Sequence, residues 1–418
     1  MHTKSTQILK GTGSYIASNI LNSAAAFAVS VIVSIYMGKE GLGTFSVSFV
    51  IVLIGVLLSE LGLNPIILRE YSRSVAPPRL TLYSVLALRS TASLIVSACV
   101  LLGASVIKSP IVNSSLLSGI ALLIVSRSVG SGLENVIKAR LRHLVYLTLT
   151  AGNAVLQISA AFATLRLGFG IGAVVLALAA VDFIKVAALL YLEKGELSAQ
   201  TEGGRLTLHR VRSVLTQGAP FILIGLLSFI NERADILLIA WLRDAATAGV
   251  YSAASRFMII GNILDSSILA SALPALSLLR NDAERGYLTG QVFAATLVVA
   301  AAIGFVLFIG APTILKLTFH FSESVTVLQV FAVGFPAMLA NRIARTFFYS
   351  LQKEHIAATI LAVGCLGSIL INLAIIPRFG AVGAAGVAVT TEYAVAAAYG
   401  IVYLRSSLRN ALSIGVTP

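Results

Sequence analysis

Residues 171–192 read IGAVVLALAAVDFIKVAALLYL, an apolar run interrupted only by the charges of Asp182 and Lys185. At about 1.5 Å per residue the run makes a helix of roughly 33 Å, enough to cross the ~30 Å hydrocarbon core of a bilayer. Comparable stretches lie on both sides of it, at 14–37, 44–66, 84–106, 114–136 and 146–167 before, and at 218–242, 248–273, 291–315, 325–348, 356–377 and 380–404 after. The pattern predicts about twelve transmembrane helices in two halves of six.

Composition agrees with that reading. Of 418 residues, 57% are hydrophobic and 11% are Asp, Glu, Lys or Arg, less than half the charged share of about 25% found in soluble domains. The mean hydropathy of +0.94 is spread along the whole chain, so no soluble domain carrying a single anchor fits. Lipid offers no partners for backbone groups, and the runs are too long for tilted strands of about 10 residues, so helices are expected. The N-terminal apolar stretch reads as a first span and not as a cleaved leader.

The chain holds 30 Lys and Arg against 17 Asp and Glu. Topology accounts for most of the excess, and no nucleic-acid partner is needed. With both termini cytoplasmic, the cytoplasmic segments hold 18 Lys and Arg, among them Arg69, Arg73, Arg79, Lys138, Arg140, Arg142, Arg205, Arg210 and Arg212. Lys39, Lys108, Arg166, Arg243, Lys316 and Arg378 fall one to each outer loop. Cys99 and Cys365, each in an apolar run, supply neither a disulfide framework nor a thiolate metal site. No metal or cofactor is expected, and the five histidines are too scattered along the chain to suggest one.

An internal repeat organises the spans. A shift of 206 residues lays Gly43-Thr44-Phe45-Ser46 on Gly249-Val250-Tyr251-Ser252. A shift of 210 lays Phe169-Gly170-Ile171 on Phe379-Gly380-Ala381 and Asp182 on Glu392. Six spans per half make this a parallel repeat, the arrangement of many transporters. The expected fold is all-α, with two pseudo-symmetric six-helix bundles around a central cavity: residues 1–192, a cytoplasmic linker at 193–216, and residues 217–418.

Gly38-Lys39-Glu40-Gly41-Leu42-Gly43-Thr44-Phe45-Ser46, then Ser59-Glu60-Leu61-Gly62-Leu63 and Arg69-Glu70-Tyr71, resemble the opening of polysaccharide biosynthesis flippases of the multidrug, oligosaccharidyl-lipid and polysaccharide exporter superfamily. In the second half, Arg233-Ala234-Asp235, Ala248 to Ser252 and Leu273-Pro274-Ala275-Leu276-Ser277 continue the likeness. Twelve spans match the O-antigen type better than the lipid II type. The resemblance implies ion-coupled flipping of an undecaprenyl-diphosphate-linked oligosaccharide to the outer leaflet of a bacterial inner membrane. It also implies membrane lipid, a glycan polymerase and other surface-polysaccharide (lipopolysaccharide) assembly proteins as partners, and a transporter in place of an enzyme.

Six cations are counted inside the predicted spans: Arg127, Lys185, Arg233, Arg256, Arg342 and Arg345; Arg89, five residues past the start of 84–106, is counted with the cytoplasmic segments. At about 2.5–3.5 kcal/mol each, leaving them in lipid would cost roughly 15–21 kcal/mol, as much as the ~5–15 kcal/mol stability of a typical protein. They must therefore face water or partners. Counting helical rise from the outer span ends, Arg233 and Arg256 lie roughly 15 and 12 Å deep, and Arg127 and Lys185 about 20 Å. One reading is a hydrated cationic cavity for a diphosphate, whose oxygens match the planar guanidinium fork. The other is internal pairing, for example Arg256 with Asp235 or Lys185 with Asp182. Asp182, Asp235 and Glu392 are candidate coupling-ion sites, since a carboxylate held away from water can carry a proton.

The alternatives are a multidrug or cation antiporter of the same superfamily, which would favour an acidic lumen, and a membrane glycan polymerase or ligase. The short outer loops speak against the second. Gly168-Phe169-Gly170-Ile171-Gly172 lacks the preceding strand a nucleotide site needs and reads as a turn.

Overall fold

The run 171–192 forms one helix with both ends where its apolar character ends. The computed structural model describes residues 2–72, 81–107, 113–195, 208–261, 264, 282–351 and 353–414. Arg73, Arg79, Lys108, Arg205, Asp265, the segment Leu273 to Ser277 and residues 196–207 of the expected linker lie outside them. Among the described residues there is no strand. The helices are α1 (His2–Ser59), α2 (Leu63–Tyr71), α3 (Leu82–Ile107), α4 (Ser114–Ala139), α5 (His143–Arg166), α6 (Ile171–Leu192), α7 (Leu208–Leu242), α8 (Ala245–Ser255), α9 (Asp282–Thr318), α10 (Glu323–Ser350) and α11 (Glu354–Ile414), with a 3-10 turn at Arg256–Met258.

Eight of these are long and apolar enough to cross a membrane. Two candidate spans, Gly13–Ser59 and His355–Leu404, run to 47 and 50 residues, or about 70–75 Å if straight, more than twice a bilayer core. Each is broken near its middle by a glycine with positive φ, Gly38 (φ 64°) in α1 and Gly380 (φ 54°) in α11, so each has the length of two crossings. Gly380 sits in the repeated Phe-Gly motif, whose first copy lies in the α5–α6 turn beside Gly168 (φ 82°). The expected span 44–66 ends early, because Leu61 (φ 52°) and Gly62 (φ 66°) turn the chain between α1 and α2. Much of the expected span 248–273 lies outside the described residues.

Apolar residues cover the outside, and hydroxyls inside the helices bond their own backbone. Ser18, Ser30, Ser48 and Ser59 each donate to the carbonyl four residues earlier, which satisfies a polar group where no water reaches it.

Two compact units divide the chain at Phe229 and Ile230, within α7. In the first, α4 packs on α6 and α1 on α5, around a core of Leu63, Ile67, Leu82, Leu133, Ile137 and Leu189. The first part of α7 belongs to this unit. A Cβ on Gly62 would lie 2.2 Å from the Gly218 carbonyl oxygen, and one on Gly218 would lie 2.1 Å from the Leu61 oxygen. Only two glycines allow the backbones to meet so closely. In the second unit α10 is central, packing on α9 and α11, with Phe335 and Leu339 fully buried beside Ala300 and Leu307.

Candidate functional site

Helix α4 carries polar groups at 127, 131, 134 and 138, positions that share one helical face. In the first unit Arg127 Nε donates to Asp182 Oδ2 at 2.9 Å, and its guanidinium lies over the Phe49 ring. Asp182 Oδ1 accepts from Gln157 at 2.8 Å and Asn153 at 3.2 Å. The carboxylate is thus held from α4 and α5 together. Lys185, one turn further on α6, pairs with Glu134 at 2.5 Å and not with Asp182. Lys138 shares that glutamate at 3.7 Å and stacks over Tyr146.

A third cluster contains a cation that the sequence assigns to the cytoplasmic segments. Arg89 stands in α3 with no exposed surface. Its Nη1 donates to the Ser128 carbonyl and to Ser131 Oγ, and its Nη2 to Asn64 Oδ1. Glu60 lies 3.8 Å away and accepts from Ser131 and Asn64. Arg89 belongs with the intramembrane charges, a correction to the loop count. Its place near the edge of an apolar run made it look like a loop residue, although polar partners at Glu60, Asn64, Ser131 and Asn135 were visible in neighbouring spans. At the end of α6, Glu193 is buried between Arg140 and Arg142, at 2.8 and 2.7 Å.

The second unit is arranged differently. A cavity of about 220 Å³ is walled by α7, α8, the 3-10 turn, α10 and α11, and is lined by Arg233, Arg256, Arg342 and Arg345 with Glu232, Asp235 and Glu392. Four of the six expected cations and two of the three expected coupling carboxylates meet here. Arg127, Lys185 and Asp182 are in the first unit instead.

Two of the three acids in this cavity, Asp235 and Glu392, are hydrogen-bonded by neutral donors. Asp235 accepts from Tyr251 Oη at 2.6 Å and Asn372 Nδ2 at 2.9 Å. Asn341 Nδ2 donates to Glu392 Oε2 at 2.6 Å and to the Glu392 carbonyl at 2.8 Å. Asp235 is therefore not the partner of Arg256 that local spacing suggests. Among the described residues neither Arg233 nor Arg256 forms an ion pair. The rest of the wall is apolar, including Phe331, Phe335 and Met338. Chemically, this is a partly open pocket of guanidinium donors with hydrogen-bond acceptors close by. Among the described residues, no three His, Cys, Asp or Glu side chains are grouped to hold a metal.

Comparison with known proteins gives two overlapping family matches. Residues 8–280 match the polysaccharide biosynthesis protein family, and residues 145–416 match the lipid II flippase MurJ family. No curated protein sequence matches the chain. Among solved structures, a MATE family multidrug resistance transporter of the MOP superfamily in an inward-facing conformation is similar with a TM-score of 0.74 at 13% identity, over 97% of this chain and 100% of that one. Lipid II flippase MurJ in an inward closed conformation gives 0.68 at 14% identity, over 98% and 88%. A MOP superfamily transporter from Pyrococcus furiosus, whose reversed pocket polarity is described as suggesting a different function, gives 0.58 at 14% identity, over 98% and 96%.

Proposed function

Because the chain belongs to the polysaccharide biosynthesis protein family, among the membrane flippases and transporters of the multidrug, oligosaccharidyl-lipid and polysaccharide exporter superfamily, we propose that it flips an undecaprenyl-diphosphate-linked oligosaccharide, such as an O-antigen repeat unit. The glycan moves from the cytoplasmic to the outer leaflet of a bacterial inner membrane by alternating access. The observation that carries this reading is the charge state of the second-unit cavity. Asp235 and Glu392 are bonded by tyrosine and asparagine, and among the described residues Arg233 and Arg256 form no ion pair, so their positive charge has no contacting acid. Two such guanidinium groups lining one cavity repel each other unless an anion joins them, and a diphosphate supplies paired oxygens for each planar fork. Arg342 and Arg345, lining the same cavity, extend the cationic surface.

Arg127 and Lys185 are placed otherwise. Both are paired with acids on neighbouring helices, which supports a structural role for them and for Asp182. Coupling is assigned to Asp235, whose partner Asn372 presents a buried Oδ1 with no hydrogen-bond partner among the described residues. A carboxylate beside an unfilled amide oxygen suits a small cation or a proton. The lysine and arginine bias supports a cytoplasmic position for both termini, and a glycan polymerase and other surface-polysaccharide assembly proteins are the expected downstream partners.

An antiporter for cationic drugs would draw on the three cavity carboxylates, but four arginines outnumber them. The deciding experiment is a flipping assay in proteoliposomes with Arg233→Ala and Arg256→Ala. Each should slow transfer of the lipid-linked glycan at least tenfold while the protein remains folded. Wild-type rates in both would remove the assignment.

A further inference from the structure

We infer that Glu392 is a specificity-determining residue that accepts hydrogen bonds from the first sugar of the lipid-linked glycan; this rests on the diphosphate site proposed above. Glu392 lines the same cavity as the four arginines, yet the only bond its carboxylate receives among the described residues is from Asn341, through Oε2. The second bond from Asn341 Nδ2, to the Glu392 carbonyl, fixes the glutamate on α11 from the neighbouring helix α10. One carboxylate oxygen is thereby anchored, and Oε1 is left as an acceptor.

A ligand that is only an anion has no use for that oxygen. A carboxylate at an anion site weakens phosphate binding unless the ligand also brings donors. Sugar hydroxyls and the N–H of an acetamido group are such donors, and a charged acceptor makes the stronger kind of hydrogen bond. Asn341, Arg342 and Arg345 lie within five consecutive residues of α10, about 6 Å of rise, so the support of the acceptor and two of the cations come from one short segment. Thr391, next to Glu392 on the wall, adds a hydroxyl of either polarity. At about 220 Å³ the cavity is smaller than the ~300–1,000 Å³ of pockets that enclose drug-sized ligands. It takes a head group and its first sugar, and the more distal sugars extend outside it.

The test uses the full-length protein in lipid nanodiscs and calorimetric titration with two short-chain prenyl diphosphates, one bare and one carrying a single N-acetylhexosamine. The wild type should bind the glycosylated probe about tenfold more tightly. Glu392→Gln keeps an oxygen for Asn341 and turns the cavity-facing acceptor into a donor. It should bring the two affinities within about twofold and leave that for the bare diphosphate unchanged or stronger. Equal affinities in the wild type overturn the inference. So does a Glu392→Gln protein that keeps the sugar preference, or that weakens both probes alike. If neither probe binds the wild type, or if Arg233→Ala leaves both affinities unchanged, the diphosphate site itself fails.

Discussion

Arg127 Nε donates to Asp182 Oδ2 at 2.9 Å across a sequence gap of 55 residues, joining α4 to α6 in the interior of the first unit. The pair answers a question that the second unit answers differently. Both units carry cations inside apolar helices, yet Arg127 and Lys185 contact acids, whereas Asp235 and Glu392 take their hydrogen bonds from Tyr251, Asn372 and Asn341. One unit pairs these cations with acids, and in the other two of the acids are hydrogen-bonded by neutral side chains.

If Arg127 and Asp182 are structural, each single change to alanine should destabilise by about 3 kcal/mol, the lower end for a broken buried pair, because Arg127 keeps 25% of its side chain exposed. The double change Arg127→Met with Asp182→Leu should recover most of that loss. Thermal unfolding of the purified protein in detergent checks both statements. Stability unchanged in the single variants would point to a ligand or ion at this pair.

Arg89 should be less tolerant still. Removing its guanidinium leaves Glu60, Asn64 and the Ser128 carbonyl short of donors in a site that water does not reach, so Arg89→Ala should cost about 3–5 kcal/mol. Arg89→Lys should also be destabilising, since an ammonium cannot span the Asn64 and Ser128 positions at once. Gly132 lets the side chain lie against α4, where a Cβ would come within 3.1 Å of Arg89 Cδ. Gly132→Ala should therefore lower the melting temperature by less than Arg89→Ala does.

Arg89 also marks where a sequence stops being readable. Helix type and placement follow from local hydropathy, which is why α3, α4, α5 and α6 lie where their apolar runs do. The break at Gly380 was marked by the repeat. Partner choice is a tertiary property. Spacing offers Lys185 to Asp182, three residues away, but the fold brings Glu134 of α4 to the lysine and Arg127 to the aspartate. Equally, nothing local shows that Arg233, Arg256, Arg342 and Arg345, more than 100 residues apart at the extremes, share a single cavity.

The crossing of Gly62 and Gly218 predicts a strong steric effect. A Cβ at either position would meet backbone at 2.2 or 2.1 Å, and backbone cannot rotate aside as a side chain can. Gly62→Ala adds the cost of a left-handed φ to the clash. Gly218→Ala carries the clash alone. Both should reduce the yield of folded protein, with Gly62→Ala the more severe by about 1 kcal/mol, as measured by fluorescence-detected size exclusion after heating.

Outside the membrane-spanning helices, Asp244 caps α8 by accepting from the Thr247 N–H at 2.7 Å. That backbone hydrogen bond holds its carboxyl below the usual carboxylate range. A group depressed in the folded state contributes stability above its unfolded value, near 3.9, and loses it as pH falls through the lower folded value. Asp244→Ala should therefore cost roughly 1 kcal/mol at neutral pH, as a lost N-cap usually does. Asp244→Asn keeps an acceptor for Thr247 but cannot titrate. Its melting temperature should lie below that of the wild type at pH 7 and approach it once the pH drops below about 4, and a constant difference between the two proteins across that range would show that the cap does not depend on the charge.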